Sequence, residues 1–232
     1  MNYLLIYLDA GHGGKDSGAS GNDIKEKDIV VDICRRIEEG LNNYENVEVL
    51  QTRTTDVFLS LDARTKKANN AGADVLISVH CNSANAGTAR GFESHTFPNS
   101  GAGTIAFQNV LHSEILKELG SNIEDRGKKQ SNFHMLRESK MKSVLTENLF
   151  VSNSADAKLL DQADFRQKIA QGHINGLEKF LGLKKSAQPP PVKTPSGKLW
   201  IVQVGAFESQ KNAEALADDL KKSGYRPLVK YE

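Results

Sequence analysis

The sequence alternates between two kinds of segment, and this alternation constrains the fold more than any other feature. Short apolar runs are typical of buried strands, whereas longer segments with apolar residues at three-to-four spacing are typical of helices that bury one face. Strands that are connected by helices build a parallel sheet covered on both faces. The sequence therefore predicts an α/β fold with a mainly parallel, twisted sheet and helices on both faces.

The predicted elements fill residues 1–183, which we expect to form one domain. The predicted strands are Leu4–Asp9, Val47–Thr52, Asp74–His80, Phe92–Phe97, Phe133–Leu136 and Val144–Leu149. The predicted helices are Lys27–Leu41, Ser60–Ala71, Thr104–Leu119 and Ala155–Leu181, and Ser60 is the expected N-cap of the second.

A change in composition marks the end of this domain. Four of the 6 prolines lie between positions 189 and 195, and no acidic residue occurs from 180 to 206. Such a stretch cannot bury apolar surface, so residues 184–198 are predicted to be an extended linker. Residues 199–232 repeat the strand, helix, strand pattern in miniature, a βαβ unit that is too small to fold alone and is expected to need a partner.

Charge and cysteine content exclude some classes of protein. The formal net charge is +1, from 30 basic and 29 acidic side chains, so no strong field favours nucleic acid or an anionic membrane as a partner. The 2 cysteines, Cys34 and Cys81, show no disulfide spacing and are expected to be reduced thiols. The apolar run near the amino end is too short for a secretory signal, so we expect synthesis in the cytoplasm without one.

Four polar residues occur where strands and helices begin or end. His12 and His80 each follow an apolar strand, and the carboxyl ends of parallel strands meet at one edge of a sheet. Glu26 stands at a helix start, and Glu147 lies in an apolar run where an unpaired carboxylate is costly. Two imidazoles, a carboxylate ligand and a second carboxylate are what a hydrolytic zinc site requires.

Each of these residues also has a plainer interpretation. A single histidine at a strand end is more often a packing residue, and a carboxylate such as Glu26 is favourable at any helix N-terminus. The glycines around His12 resemble a phosphate-binding loop, but Asp16 follows the lysine where such a loop needs Ser or Thr. Cys81 is a weak alternative ligand, because it points away from His80 in a strand.

Seven sequence blocks connect the chain to a known family. They are "LDAGHGGKDSGASG", "KEKDI", "TRTTDVFLSLDARTKKAN", "ISVHCNS", "GFES", "NFHMLRES" and "VLTENLFVSN". In these blocks the chain resembles the zinc-dependent N-acetylmuramoyl-L-alanine amidases of the third amidase family. The resemblance is closest to the cell-wall lytic amidases of spore-forming Gram-positive bacteria and their phages. Ala10 and Met141–Ser143 stand where the family usually has a proline, which changes loops and no ligand.

The resemblance implies a function and a site. It implies that His12, Glu26 and His80 bind one zinc ion, and that water activated by zinc cleaves the amide bond between N-acetylmuramic acid and L-alanine of peptidoglycan. It implies that Glu147 takes the proton of that water and returns it to the leaving nitrogen. A zinc carboxypeptidase or deacetylase acting on the cell wall, and a non-catalytic wall-binding protein, are the alternatives.

Other residues of the blocks receive smaller roles. Asn82, His134 and Arg137 are predicted to contact substrate. Arg53, Asp56 and Arg64 are expected to hold the loop and helix after the second strand. His95, His112 and His173 are expected to have surface or packing roles.

The tail resembles one half of a sporulation-related (SPOR) repeat. This resemblance implies binding to peptidoglycan, with a preference for glycan that has lost its stem peptides. Because only one half is present, either the chain is truncated or the half pairs with a second copy through its strand edge, which would give a dimer. We expect pairing or partial order rather than an independent monomeric domain. An enzyme of this kind made without a signal would act on the wall after the membrane is permeabilised, as a phage lysin or a mother-cell lysis enzyme.

Overall fold

The computed structural model describes residues 3–186, 205–222 and 229, and the chain divides into two compact units, Met1–Ser186 and Ala187–Glu232. The strands are β1 Leu4–Ala10, β2 Ser20–Gly21, β3 Ile24–Lys25, β4 Val47–Gln51, β5 Val75–Asn82, β6 Phe92–Thr96, β7 Asp125–Gln130 and β8 Lys142–Phe150. The helices are α1 Glu26–Leu41, α2 Leu61–Ala71, α3 Ala102–Leu119, α4 His134–Arg137, α5 Ser154–Leu160, α6 Ala163–Leu181 and α7 Gln210–Lys222.

Six strands of the first unit form one sheet in the order β4-β1-β5-β8-β6-β7. The strands β4, β1, β5 and β8 are parallel, so their carboxyl ends meet at one edge. The strand β6 is antiparallel to β8 and parallel to β7. The predicted mainly parallel α/β architecture is confirmed.

Helices cover both faces of the sheet. The larger core lies on the face packed by α1, α3 and α6, and it contains Leu8, Ile77 and Phe107. The opposite face carries a smaller core, in which Tyr7 and Leu76 of the sheet pack against residues of α2 and α4. Because side chains alternate along a strand, Ser78 and His80 of β5 share this second face with Leu76.

Two of the predicted elements are wrong. Phe133–Leu136 is not a strand, since the backbone carbonyl of Phe133 accepts hydrogen bonds from the amides of Leu136 and Arg137, and α4 results. An apolar run this short fits either element, so periodicity could not decide. The single helix predicted over Ala155–Leu181 is two helices, because α5 ends at Leu160 and α6 begins at Ala163.

Two strand regions were not predicted. The edge strand β7 has the sequence DRGKKQ, which lacks the apolar residues by which strands are recognised. The hairpin of β2 and β3 has only two residues in each strand. The predicted cap of α2 is confirmed, since the Ser60 side chain accepts a hydrogen bond from the Ala63 amide.

Most predictions for the carboxyl-terminal part fall outside the described residues. Within the described residues, α7 corresponds to the predicted helix of the tail. Most of the two tail strands and all of the linker 184–198 beyond Ser186 lie outside them. No helix in the described ranges is long and apolar enough to cross a membrane.

Candidate metal centre

The turn after β1 places His12 at the carboxyl edge of the sheet. His12 has φ of 59°, a left-handed conformation that costs free energy in a residue other than glycine and is typical of functional sites. The Arg64 guanidinium holds this turn, because it donates hydrogen bonds to the backbone carbonyls of Ala10 and His12. These hydrogen bonds hold the backbone of the turn from which the imidazole projects.

His80 reaches the same edge from β5, the neighbour of β1. Its ring lies over the Cα of Gly11, where a Cβ atom would stand 2.3 Å from His80 Cε1. The ring centroids of His12 and His80 are 5.0 Å apart, with the rings nearly perpendicular. Glycine at position 11 is therefore needed for the close approach of the two imidazoles.

Glu26 is the first residue of α1 and lies between the two imidazoles, with 3% of its surface exposed. Its Oε2 is 3.1 Å from His12 Nε2, and its Oε1 is 2.9 Å from His80 Nδ1. The backbone amides of Ala19 and Cys81 donate to the same carboxylate at 2.8 and 3.0 Å. Each carboxylate oxygen of Glu26 thus has two hydrogen-bond partners.

One ligand atom from each of His12, Glu26 and His80 lies within 4.8 Å of the others. Two neutral imidazole nitrogens and one carboxylate oxygen are a donor set that zinc accepts, with a fourth position left open. Asp16 Oδ2 lies 2.9 Å from His12 Nδ1, on the far side of the ring from Glu26. A carboxylate in that position orients a metal-binding histidine and fixes its tautomer.

Glu147 lies beside this cluster on β8, directly opposite His80 in the sheet register. Its Oε2 is buried and has no hydrogen-bond partner among the residues that the structure describes. An unpartnered buried carboxylate oxygen is costly unless water, an ion or a substrate satisfies it. The Glu147 carboxylate is therefore available to a group that enters the site.

The surroundings shift the pKa values of the two carboxylates in opposite directions. Burial acts to raise the pKa of Glu26, but the hydrogen bonds to His12 and His80 outweigh it and hold this pKa well below its usual range. Burial raises the pKa of Glu147 to about 7. Burial also opposes protonation of His80, but the hydrogen bond to Glu26 outweighs it and raises the pKa of His80 to about 9.

Of the three residues predicted to contact substrate, Asn82 is close to His80 in the sequence, whereas His134 and Arg137 lie on α4. The side-chain amide of Asn82, two residues beyond His80, donates to Glu93 Oε1 at 3.0 Å. His134 begins α4, and its Nε2 is 3.4 Å from Thr65 Oγ1. Arg137 is at the end of α4, where its guanidinium bonds Asn132 and Glu138.

Arg53, Asp56 and Arg64, which are expected to have structural roles, bond to the chain around His12. Arg53 is buried and donates to the backbone carbonyls of Ala10 and Gly11. Arg64 also pairs with buried Asp9 at 2.9 Å, and Asp56 accepts a hydrogen bond from the Gly14 amide. These contacts fix the loop that carries His12.

The remaining histidines and both cysteines lie inside the protein. His95, His112 and His173 are buried, and each has a hydrogen-bond partner. Cys34 and Cys81 are free and buried. The Cys81 side chain belongs to the larger core, on the face opposite to His80, so it is not a ligand.

Sequence reasoning gave no role to two acidic residues of the site. In the sequence Asp16 stands out only because it departs from the pattern of a phosphate-binding loop, although its spacing of four residues from His12 is a usable signal. Glu93 lies in the block "GFES" and pairs with Glu147 in the register of β6 and β8. Strand pairing of this kind cannot be read from one strand alone.

A cavity of about 370 Å³ opens on the β1 side of His80. Much of its wall is apolar, from Phe58, Leu59, Leu61 and Met135. His12 and His80 both line this cavity. A molecule bound in the cavity would therefore contact the candidate metal ligands.

Comparison with known proteins shows which families the chain matches. Residues 6–179 match the family model described as N-acetylmuramoyl-L-alanine amidase, and residues 186–232 match the SPOR domain model. A sporulation-specific N-acetylmuramoyl-L-alanine amidase of Bacillus subtilis (strain 168) is 43% identical over 227 residues, which cover 97% of this chain and 84% of that one. The endolysin of Bacillus phage SPP1 is 44% identical over 207 residues, covering 86% of this chain and 76% of the endolysin.

The fold also has solved relatives. The catalytic domain of CwlV, an N-acetylmuramoyl-L-alanine amidase from Bacillus (Paenibacillus) polymyxa var. colistinus, superposes with a TM-score of 0.74. The two sequences are 34% identical, and the match covers 78% of this chain and 99% of the solved one.

Proposed function

The chain belongs to the N-acetylmuramoyl-L-alanine amidase family, and we propose that its His12, Glu26 and His80 hold one zinc ion while Glu147 transfers the proton in amide hydrolysis. As a member of this family it is a peptidoglycan hydrolase. The observation that carries the assignment of residues is the convergence of three ligand atoms within 4.8 Å beside an unpartnered Glu147 oxygen.

The donor set supports zinc in particular. Hydrolytic zinc sites use three protein ligands from histidine and carboxylate and leave one position for water or substrate. When bound, zinc supplies a Lewis acid, which polarises a carbonyl group and makes water nucleophilic near neutral pH. The ligand Glu26 suits this charge, because its low pKa keeps it ionised.

Glu147 has the properties of a general base and acid. A group of this kind is most effective when its pKa lies near the working pH, because it must both accept and release a proton. Burial raises the pKa of Glu147 to about 7 in the metal-free protein, and its Oε2 has no hydrogen-bond partner among the described residues. Glu147 accepts the proton of the attacking water and returns it to the leaving L-alanine nitrogen.

Asn82, His134 and Arg137 are proposed substrate contacts. Asn82 is the best supported of the three, because it lies at the carboxyl end of β5 and is hydrogen-bonded to Glu93, the register partner of Glu147. His134 and Arg137 belong to α4, and Met135 of the same helix lines the cavity. Alanine substitutions at the three positions should raise KM more than they lower kcat.

The SPOR match supports peptidoglycan as the partner of residues 186–232. Within this proposal the module prefers glycan without stem peptides, and it pairs with a second copy. Co-sedimentation with peptidoglycan before and after removal of stem peptides tests the preference, and analytical ultracentrifugation of the whole chain tests the pairing. Cell-wall action agrees with the similarity to a phage endolysin, and both a phage lysin and a mother-cell lysis enzyme remain proposed settings.

Two measurements test the proposed chemistry. Chelation should abolish lysis of purified cell walls, and stoichiometric zinc should restore it. Mass spectrometry of the products should find intact glycan and a free L-alanine amino group. Release of a carboxyl-terminal amino acid or of acetate would instead indicate a carboxypeptidase or a deacetylase.

A further inference from the structure

The side chains beside the metal centre form a row that crosses the sheet, one strand at a time. His80 of β5 is the register partner of Glu147 of β8, and Glu147 is the register partner of Glu93 of β6. Cross-strand partners lie on the same face of a sheet. From Glu93 the row continues to the edge strand β7, where Arg126 and Lys129 both reach Glu93 Oε2, at 2.7 and 2.5 Å.

The β7 end of this row carries excess positive charge. Glu93 is buried and is the acidic partner of both Arg126 and Lys129 among the described residues, so two cations share one anion. The Arg126 side chain is 27% exposed and that of Lys129 is 38% exposed, and Arg126 also stacks on the Phe150 ring at 4.8 Å. Held in this way, the two cations are preorganised to accept an anionic group from solution.

The cavity on the other side of His80 has the opposite character. Phe58, Leu61 and Met135 supply apolar wall, and its charged lining residues are already paired. Asp9 pairs with Arg64, and Asp16 with His12. The cavity therefore suits an uncharged, partly apolar group, whereas the β7 end suits an anion.

The cavity and the β7 end of the row accept different chemical groups. Together with the proposed role of Glu147, this difference sets the direction in which a substrate lies. We infer that the stem peptide runs from Glu147 toward β7 and that Arg126 and Lys129 bind one of its carboxylates, with the N-acetylmuramoyl side toward the cavity. This inference rests on the proposed function, because the leaving nitrogen must be beside the group that protonates it. The peptide leaves from that nitrogen, on the β8 side of His80.

Strand spacing gives the position of the carboxylate. Two steps from β8 to β7 span roughly 10 Å at about 4.8 Å per strand. An extended peptide advances about 3.3–3.6 Å per residue. The bound carboxylate therefore belongs to about the second or third residue of the stem peptide.

The test uses the whole chain loaded with zinc and two synthetic substrates. One is an N-acetylmuramoyl-tripeptide with free carboxylates, and the other is the same compound with its carboxylates amidated. For Arg126→Gln and Lys129→Gln we expect KM for the free-acid substrate to rise about tenfold each, with kcat nearly unchanged. With the amidated substrate the variants should match the unsubstituted protein.

Lys128→Gln is the matched control. Lys128 is on the same strand, but it lies opposite Ser94 in the register and bonds Asn109 of α3, on the other face of the sheet. It should leave both KM values unchanged. Zinc content and thermal unfolding of each variant are measured alongside, so that a folding defect is recognised.

Three results would overturn the inference. One is an unchanged KM for the free-acid substrate, and another is an equal rise in KM for both substrates. The third is a fall in kcat with both substrates, which would mean that the two cations act through Glu93 on Glu147. Failure of the unsubstituted protein to cleave either substrate would contradict the proposed function instead, so the two failures are distinguishable.

Discussion

Glu26 and Glu147 carry the same chemical group at the same edge of the sheet, yet their surroundings are opposite. Glu26 has two partners for each oxygen, from two backbone amides and two imidazoles. Glu147 has a buried oxygen with no partner among the described residues. A carboxylate that is fully hydrogen-bonded is held as an anion, whereas a desolvated one accepts a proton readily.

The difference teaches how one fold assigns two roles to one kind of side chain. A metal ligand must stay deprotonated, and a proton carrier must change its protonation state during each turnover. Carboxylates whose pKa values are driven apart by their environments are a recognised sign of such a division.

The largest effect is expected from Glu26→Gln. The neutral amide removes the anionic ligand, so zinc binding should be lost and the rate of wall hydrolysis should fall by more than about a thousandfold. Zinc is measured by elemental analysis after dialysis. Glu39→Gln is the matched control, because Glu39 lies on the same helix in an exposed ion pair with Arg35. Zinc retained by Glu26→Gln at full stoichiometry would contradict the assignment.

Glu147 should make the stability of the metal-free protein depend on pH. Burial raises the pKa of Glu147 to about 7 in the folded state, from 4.5 in the unfolded state. The folded state then binds more protons in this window, so the contribution of Glu147 is most favourable below pH 4.5 and is lost as the pH rises through 7. Between pH 4.5 and 6.5 the free energy of unfolding should fall by about 2 to 3 kcal/mol relative to Glu147→Gln.

The contribution of Glu26 to the free energy of unfolding changes with pH in the opposite direction and over a different pH range. Its folded-state pKa is lowered, so its contribution is present above pH 4.5 and is lost as the pH falls below that value. Guanidinium unfolding in the presence of a chelator, repeated at each pH, measures both effects. Parallel curves for the unsubstituted protein and Glu147→Gln from pH 4.5 to 6.5 would show that Glu147 is not desolvated.

A smaller effect is expected from Gly18→Ala, a substitution that disturbs the surroundings of Glu26 and leaves those of Glu147 unchanged. A Cβ atom at position 18 would lie 2.5 Å from Glu26 Oε2 and 2.6 Å from His12 Cδ2. Zinc affinity should fall by about ten- to a hundredfold, the range seen when the support of a metal ligand is disturbed.

Gly182→Ala separates this clash from backbone strain. Gly182 has φ of 66°, close to the 64° of Gly18, but a Cβ atom there meets nothing within 4 Å. Gly182→Ala should lower stability by about 1 kcal/mol and leave zinc binding unchanged. Equal zinc affinities in the two variants would mean that the packing of Gly18 does not support the ligands.

The four site residues could be found from the sequence because His12, Glu26 and His80 stand at or near the end or start of an element. Glu147 could be found because it is a carboxylate inside an apolar run. Apolar runs predicted where His12 and His80 would emerge, and the family blocks added the roles. What the sequence did not predict is how the site is held. The contact of Asp16 with His12 and the pairing of Glu93 with Glu147 depend on loop conformation and strand register, which one strand does not encode.

The errors in the fold have the same origin. The apolar pair Met135 and Leu136 fits a strand or one helical turn, and contacts with α2 and β8 accompany the helix. The strand β7 is polar along its length and exists because it pairs with β6. Elements that depend on tertiary pairing were missed, whereas those with their own apolar pattern were found.

The measurement that tests the division of roles most directly is the zinc content and activity of Glu147→Gln, taken on the same sample. We predict about one zinc per chain, as in the unsubstituted protein, together with a fall in kcat of about a hundredfold or more, the usual scale for loss of a general base. Activity that stays near the original value would remove Glu147 from the chemistry. Loss of zinc along with activity would mean that Glu147, like Glu26, serves the metal.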